Sequence, residues 1–234
     1  MIGLGASLAV LRVVQQVPRW QSPRWSNAAL FCLVASLIGA RLFYVFFQWP
    51  FYRLHILESV ALWKGGLSWA GAIPGAYFGC WFLAKRWKTG FLKIADALSP
   101  MIPPLVIFIW LGCWLGGYAY GWAAPQGAFW GVPARDEAGV LLERFPLQLT
   151  AAVSMLAFAF WLETRKSPFQ KAGQKVAVMQ LGLAVNLLIF IPMQADPAPV
   201  LFDIRLDVWA ALAFFLFSVA IFYRLFSRSE LSRT

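Results

Sequence analysis

The sequence predicts an all-α integral membrane protein with about seven transmembrane helices, a short interfacial helix and an outer loop. Hydrophobic residues make up 61% of the 234 and charged residues only 13%, whereas about a quarter of a soluble domain is charged. The mean hydropathy is +0.67, and several apolar runs approach the roughly 20 residues that a helix needs to cross a bilayer. Most of the chain therefore belongs in a membrane, as one polytopic domain over residues 1–234.

Seven apolar runs are separated by charged or Pro/Gly-rich breaks, and each run predicts one span. We place the spans at about residues 1–17, 27–48, 67–84, 101–121, 147–162, 176–194 and 207–226. The first run is short, but it has neither the basic leader nor the small-residue cleavage site of a signal peptide. We therefore expect it to be a short first span.

The connections between these spans alternate in charge. One set carries 14 of the 20 Lys and Arg residues: Arg12, Arg19, Arg24, Lys85, Arg86, Lys88, Lys93, Arg165, Lys166, Lys171, Lys175, Arg224, Arg228 and Arg233. The other set carries seven of the 10 acidic residues: Glu58, Asp136, Glu137, Glu143, Asp196, Asp203 and Asp207. Cationic loops stay on the cytoplasmic side, so we expect the N-terminus outside and the C-terminus inside. The net charge of +10 then follows from topology, and we expect no nucleic-acid partner.

Two outer connections are long enough to carry structure. Residues 48–66 place apolar side chains at mixed helical spacing, which predicts a short interfacial helix. Residues 121–144 are rich in Gly, Pro and acids, which predicts an exposed loop or small outer subdomain over about 121–146.

The cysteines and the single histidine indicate neither a metal site nor a cofactor. Cys32, Cys80 and Cys113 all lie in apolar runs, and none forms a Cys-x-x-Cys pair. We expect them to be buried packing residues. The only histidine, His55, lies in a loop, where it is poorly placed to ligate a haem or a pigment within a span.

Four segments resemble, in order, the bacterial prolipoprotein diacylglyceryl transferases. They are Gly39–Val45, the pair His55 and Glu58, Trp63–Gly71, and Phe91–Asp96. The first contains the family pattern Gly-(Ala/Gly)-Arg-(Leu/Ile)-x-Tyr-Val, with Arg41 as its arginine. The third resembles Gly-Gly-(Leu/Met)-(Ser/Ala)-(Phe/Trp)-His-Gly-Gly, but Ala70 stands where the family has histidine. The resemblance extends over about Gly39–Gln148 and implies the seven-span topology derived above.

Further along the chain, the glycines of the family pattern are present, but most of its polar residues are not. In the fourth span the family's Arg, two Asn and Glu correspond to Trp110, Cys113, Gly116 and Tyr118, while Gly112, Gly117 and Gly121 match. After the outer loop, Arg144, Pro146, Gln148 and Leu149 match, but a histidine, a tyrosine and a glutamate do not. In the sixth span, where the family has charged residues, the nearest stretch, Leu183–Phe190, offers only Asn186, and the span contains no charged residue. The pattern predicts that side chains fill the space that is a polar cavity in the family.

The resemblance implies a demanding reaction, the transfer of a diacylglyceryl group from phosphatidylglycerol to a lipoprotein cysteine thiol. Guanidinium groups suit the phosphate because they stay charged and bind two oxygens at once. A histidine or similar base can take the thiol proton near neutral pH. Such acid–base assistance is worth about 10²- to 10⁴-fold in rate, so losing several polar groups together predicts chemistry close to background.

Five residues remain as candidates for binding a lipid head group: Arg41, His55, Ser68, Arg144 and Gln148. Each also has a structural interpretation. Arg41 can snorkel to the interface or pair with an acid such as Glu58, His55 can be interfacial structure, and Ser68 can cap the third span. Arg144 and Gln148 can bond a helix end.

Three functions are compatible with these features. We expect a non-catalytic, diacylglyceryl-transferase-like protein of the bacterial cytoplasmic (inner) membrane, acting as a phospholipid-binding or structural accessory subunit beside other membrane proteins. The alternative is an active phosphatidylglycerol–prolipoprotein diacylglyceryl transferase with a rearranged site, for example Arg41, His55 and Arg144. A transporter or channel is less favoured, because the spans hold few charges and the chain has no evident inverted repeat.

Overall fold

The computed structural model describes residues 1–62, 65–125, 127–135, 139–165, 169 and 171–230. Several residues of the sequence analysis lie outside this description: Trp63, Lys64, Asp136, Glu137, Lys166 and Arg233. The described chain is dominated by helices, with two short antiparallel strand pairs.

Each of the seven apolar runs contains one long helix. The helices are α1 (Ile2–Val14), α2 (Ser22–Phe47), α4 (Trp69–Arg86), α6 (Ile102–Gly116), α7 (Leu147–Thr164), α8 (Gln174–Phe190) and α9 (Leu206–Glu230). Within the described residues, five apolar helical runs are long enough to cross a membrane: Arg19–Phe47, Phe91–Gly116, Leu147–Thr164, Gln174–Met193 and Leu206–Ser227. The all-α membrane class is confirmed. The number of spans and their orientation stay predictions.

The fourth span differs from the prediction at both ends. Helix α5 (Phe91–Leu98) and a 3-10 turn at Ser99–Met101 precede α6 without a break in helical structure. Lys93 and Asp96 made this segment look like a polar link, but Ile94, Ala95 and Leu98 are buried on one face of α5. At the other end, Gly117 adopts a left-handed conformation (φ 71°) that ends α6.

The predicted interfacial helix is two shorter pieces. Helix α3 covers only Trp49–Tyr52, and a 3-10 helix covers Ile56–Val60. Pro50 is compatible with the first turn of α3, but α3 ends at Tyr52, and residues 53–55 separate it from the 3-10 helix. The predicted outer loop contains a hairpin in which β1 (Val132–Arg135) pairs with β2 (Leu141–Arg144).

The chain forms two compact units, Val10–Leu98 and Met1–Ala9 with Ser99–Thr234. The prediction of one domain over residues 1–234 stays a prediction. In the first unit, α2 and α4 approach closely because glycines face each other. A Cβ at Gly39 would lie 2.5 Å from the Gly71 carbonyl oxygen, and a Cβ at Gly75 would overlap the Ala35 carbonyl. Ser36 Oγ donates to the Ala72 carbonyl across the same contact (2.9 Å).

In the second unit, α6, α7 and α8 enclose an apolar cluster. Its buried members are Val106, Trp110, Leu147, Ala151, Ala152, Met155 and Phe190. Helix α9 joins α8 through a buried hydrogen bond from Gln180 Nε2 to Ser218 Oγ (2.9 Å). Small residues and interhelical hydrogen bonds are the usual means of joining helices in lipid.

We expect Gly71→Ala to weaken the α2–α4 contact. The added methyl group would overlap the Gly39 carbonyl and Phe43 Cβ, and relieving this overlap requires the helices to separate. Overpacking of this kind typically costs about 1–3 kcal/mol. The midpoint of thermal unfolding in detergent, followed by size-exclusion chromatography, measures the effect. Gly3→Ala is the matched control, because a Cβ there meets nothing within 4 Å; equal midpoints for the two variants would contradict the close contact.

Candidate functional site

Arg41 is bonded to four backbone carbonyls. It lies in the last turns of α2 and is only 5% exposed. Its Nε donates to the Ser59 carbonyl (2.8 Å), and its Nη2 donates to the Glu58 carbonyl (2.6 Å). Its Nη1 donates to the carbonyls of Gly65 (2.5 Å) and Gly66 (2.9 Å). The bond to Glu58 reaches its main-chain carbonyl, so the ion pair with the Glu58 carboxylate that one interpretation of the sequence expected stays a prediction.

The two glycines make this arrangement possible. Gly65 and Gly66 have φ values of 80° and 76°, in the left-handed region that residues with a Cβ rarely adopt. A Cβ at Gly66 would also overlap the ring of Tyr44 and lie 2.9 Å from Arg41 Nη1. The rings of Tyr44 and Tyr52 flank the guanidinium at 5.8 and 5.4 Å. The Gly-Gly sequence thus shapes a carbonyl cradle around a buried cation.

His55 lies in the same unit but on its surface. Its ring stacks on Phe51, with 4.6 Å between the ring centres. Its Nδ1 lies 3.3 Å from the Phe51 carbonyl oxygen, which favours the tautomer that carries a proton on Nδ1. Residues 53–58 form an open surface depression around it. This placement matches interfacial structure.

Ser68 occupies the N-cap position of α4, as predicted, but not with the expected side-chain bond. Its backbone N–H donates to the Ala40 carbonyl (3.1 Å), which ties the start of α4 to the residue before Arg41. In the described structure its hydroxyl makes no capping hydrogen bond. Ala70, which stands at the histidine position of the resemblance, is the second residue of α4 and is half-buried.

Arg144 and Gln148 lie in the second unit, where both contact one short segment after α6. Gln148 Nε2 donates to the Tyr118 carbonyl (2.8 Å). Arg144 Nη1 lies 3.4 Å from the Gly121 carbonyl oxygen, and its guanidinium lies over the Tyr120 ring at 4.3 Å. Both side chains are buried. The carbonyls that they contact follow the end of α6 at Gly116, so bonding of a helix end and binding of a lipid head group both stay predictions.

A buried polar network at the centre of the second unit was not singled out from the sequence. Trp110 Nε1 donates to Asn186 Oδ1 (3.0 Å). Asn186 Nδ2 donates to the Ala151 carbonyl (3.0 Å) and to Ser154 Oγ (2.8 Å). The network joins α6, α7 and α8. Its signal in the sequence was Asn186, a polar side chain inside an apolar span, which needs a partner there.

The cysteines agree with the sequence analysis only in part. Cys32 and Cys80 are buried, as predicted, while Cys113 is half-buried. Among the described residues, no group of three or more His, Cys, Asp and Glu side chains is gathered as a metal ion would require.

Comparison with known proteins gives a consistent result. The sequence profile of the prolipoprotein diacylglyceryl transferase family matches residues 1–224. The curated relatives include several proteins named phosphatidylglycerol–prolipoprotein diacylglyceryl transferase, among them three from different bacteria. The one from Nitratidesulfovibrio vulgaris (strain Miyazaki F) is 28% identical over 162 residues, which is 67% of this chain and 60% of the relative. The one from Bordetella avium is 28% identical over 211 residues, 86% of this chain and 76% of the relative. The one from Azoarcus (strain BH72) is 31% identical over 169 residues, 70% and 62% of the two chains.

We expect Arg41→Lys to destabilise the first unit. A lysine keeps the charge but cannot present the planar fork that bonds four carbonyls at once. Hydrogen bonds to charged groups contribute about 1.5–3 kcal/mol, so a loss of about 2–3 kcal/mol is expected. Limited proteolysis of residues 53–68 and the thermal midpoint in detergent measure this loss.

Arg53→Lys is the matched control, because Arg53 belongs to the same segment and is exposed. We expect it to leave both readouts unchanged. If Arg41→Lys also left cleavage and midpoint unchanged, the carbonyl cradle would have no structural role.

Proposed function

Since the chain belongs to the prolipoprotein diacylglyceryl transferase family, we propose that it is a non-catalytic member that serves as a phospholipid-binding or structural subunit of a membrane complex. It is a multi-pass protein of the bacterial cytoplasmic membrane. The match spans about 60% of the length of the first relatives compared, so the activity that their name describes is itself only a hypothesis for this chain.

The hydrogen bond between Trp110 and Asn186 carries the proposal. In the resemblance, Trp110 stands at an arginine position that would serve an anionic substrate. Here the indole is buried among apolar side chains of α6, α7 and α8, and its N–H is bonded to Asn186. A large aromatic ring bonded to its own chain leaves this position with no charge to offer a phosphate.

Arg41 supports the same interpretation. An arginine that binds a phosphate bidentately must direct two N–H groups at its oxygens. Four of the five N–H donors of a guanidinium are matched here by four carbonyls of residues 58–66. Arg41 therefore has only one N–H group left to bind a phosphate. Its bonds to the backbone account for an arginine at this position without a role in catalysis.

Active diacylglyceryl transfer is the second candidate, and the name shared by the relatives favours it. It would require Arg41, His55 and Arg144 to act on one substrate. His55 has an Nε2 atom that could accept a proton, since Nδ1 is next to the Phe51 carbonyl. This candidate requires Arg41 to exchange carbonyl partners for phosphate oxygens.

A transfer assay separates the two candidates. The purified chain is placed in vesicles that contain phosphatidylglycerol, together with a peptide bearing a lipoprotein signal and its cysteine. We expect no thioether-linked diacylglyceryl peptide above the protein-free background, because several polar groups are replaced together and each typically contributes about 10²-fold or more.

The Bordetella avium relative, purified and assayed in parallel, is the control that shows whether the vesicles and the peptide work. Product formation by this chain, abolished by His55→Ala and Arg144→Gln, would overturn the proposal in favour of an active enzyme.

Gentle extraction tests the accessory role separately. We expect the chain to leave its native membrane with a second membrane protein in fixed stoichiometry, detected by native mass spectrometry. A chain that emerges alone, with phosphatidylglycerol bound, would contradict the structural role and favour the enzyme.

A further inference from the structure

The connection between α8 and α9 contains a tight hairpin with unusual backbone geometry. Strand β3 (Val200–Leu201) pairs with β4 (Ile204–Arg205), and Phe202 and Asp203 form the turn. Their φ values are 54° and 59°. A two-residue hairpin turn with positive φ at both positions strongly favours Asn and Gly, and a bulky residue at positive φ is uncommon. The backbone conformation of Phe202 therefore has a free-energy cost.

The hairpin presents an apolar surface. Phe202 at the turn is 82% exposed and Val200 is 66% exposed, and the side chains of Leu201 and Ile204 are exposed as well. A short hairpin in water gains nothing from four exposed apolar side chains. Such a surface in a membrane protein indicates contact with lipid or with another protein.

The base of the hairpin is bonded to the chain on both sides of it through Arg205. The Arg205 guanidinium donates hydrogen bonds to both carboxylate oxygens of Asp207, through Nε (3.1 Å) and Nη2 (2.9 Å). It also donates to the main-chain carbonyls of Asp196 (2.6 Å) and Gln194 (3.2 Å) and to Gln194 Oε1 (2.9 Å). Arg205 thereby joins the end of α8 to the start of α9. These bonds fix the strand that follows the turn.

Two further hydrogen bonds fix the depth of the hairpin. Trp209, in the first turn of α9, donates its indole N–H to the Leu201 carbonyl (3.1 Å). The Leu206 N–H donates to the Pro199 carbonyl (2.8 Å). The hairpin thus lies beside the first turn of α9 and does not project away from it. Helix α9 is long and apolar enough to cross a membrane from Leu206 onward, so Leu201 lies beside the first turn of a candidate span.

We propose that the hairpin Val200–Arg205 is an interfacial anchor that inserts Phe202 into the boundary between phospholipid head groups and acyl chains. The occupant is the bilayer surface, because the hairpin lies at the depth of a span end and joins two spans. The head-group region is about 5–7 Å thick on each side, and aromatic rings favour this level. Burial in lipid offsets the conformational cost of phenylalanine at positive φ. The inference is independent of the proposed function, since it concerns only α8, α9 and their connection.

Photocrosslinking from the full chain in vesicles tests the anchor. Benzoylphenylalanine replaces Phe202 in one variant and Phe217 in another, and the vesicles contain phosphatidylethanolamine and phosphatidylglycerol. Phe217 is exposed on α9 within the span and serves as the lipid-facing reference. Irradiation at position 202 should yield a mass adduct of one phospholipid, comparable in yield to the adduct at position 217.

A second reference position and the native membrane complete the test. Phe129, the most exposed aromatic residue of the 121–146 loop at 99%, lies 13 residues after the end of α6; we expect its phospholipid adduct to be several-fold weaker than that at position 202. Adducts at position 217 without adducts at 202 would overturn the proposal. So would a cross-link from position 202 to another polypeptide in native membranes, which would identify the hairpin as a protein contact.

Discussion

The absence of water from the hydrocarbon core constrains every other feature of this protein. A backbone or side-chain polar group within the bilayer must find its partner inside the protein. The chain meets this requirement with helices and with a few bonds between them. Asn186 is hydrogen-bonded to Trp110 on α6 and to the Ala151 carbonyl on α7, and Gln180 is hydrogen-bonded to Ser218 on α9. The same requirement operates at the span end, where Arg41 is held by four carbonyls.

This constraint explains which residues of the family pattern persist in the chain. Gly39, Gly71 and Gly75 allow α2 and α4 to touch, so any larger residue would separate the helices. Gly65 and Gly66 shape the cradle of Arg41, and Gly117 ends α6. These roles are geometric and do not depend on a reaction. Ala70, Trp110 and Cys113 stand where the resemblance expects polar groups, and Trp110 turns its position into part of an apolar cluster. The residues that shape the helix contacts thus match the family pattern, whereas Ala70, Trp110 and Cys113 do not.

Apolar runs were sufficient to predict the long helices, because length and hydropathy report directly on transfer into lipid. Their ends were harder to predict, since these depend on single residues. The sequence alone did not show that Ile94 and Leu98 bury one face of α5, or that Gly117 ends α6 well before residue 121. The site followed the same rule. Arg41 could be selected from a motif, but its bonds depend on where the backbone carbonyls of residues 58, 59, 65 and 66 lie. The partners of Asn186 depend on how three helices meet.

A non-catalytic role requires the space between α6, α7 and α8 to be closed and dry around Trp110. Hydrogen–deuterium exchange of indole N–H groups in lipid bilayers, observed by solid-state nitrogen-15 NMR, tests this requirement directly. Trp110→Phe assigns the signal, and Trp122, which is 53% exposed, provides the solvent-accessible reference. The account predicts that the Trp110 indole proton persists long after that of Trp122 has exchanged. Equal exchange rates for the two would reveal a wet chamber at the position of Trp110 and contradict the account.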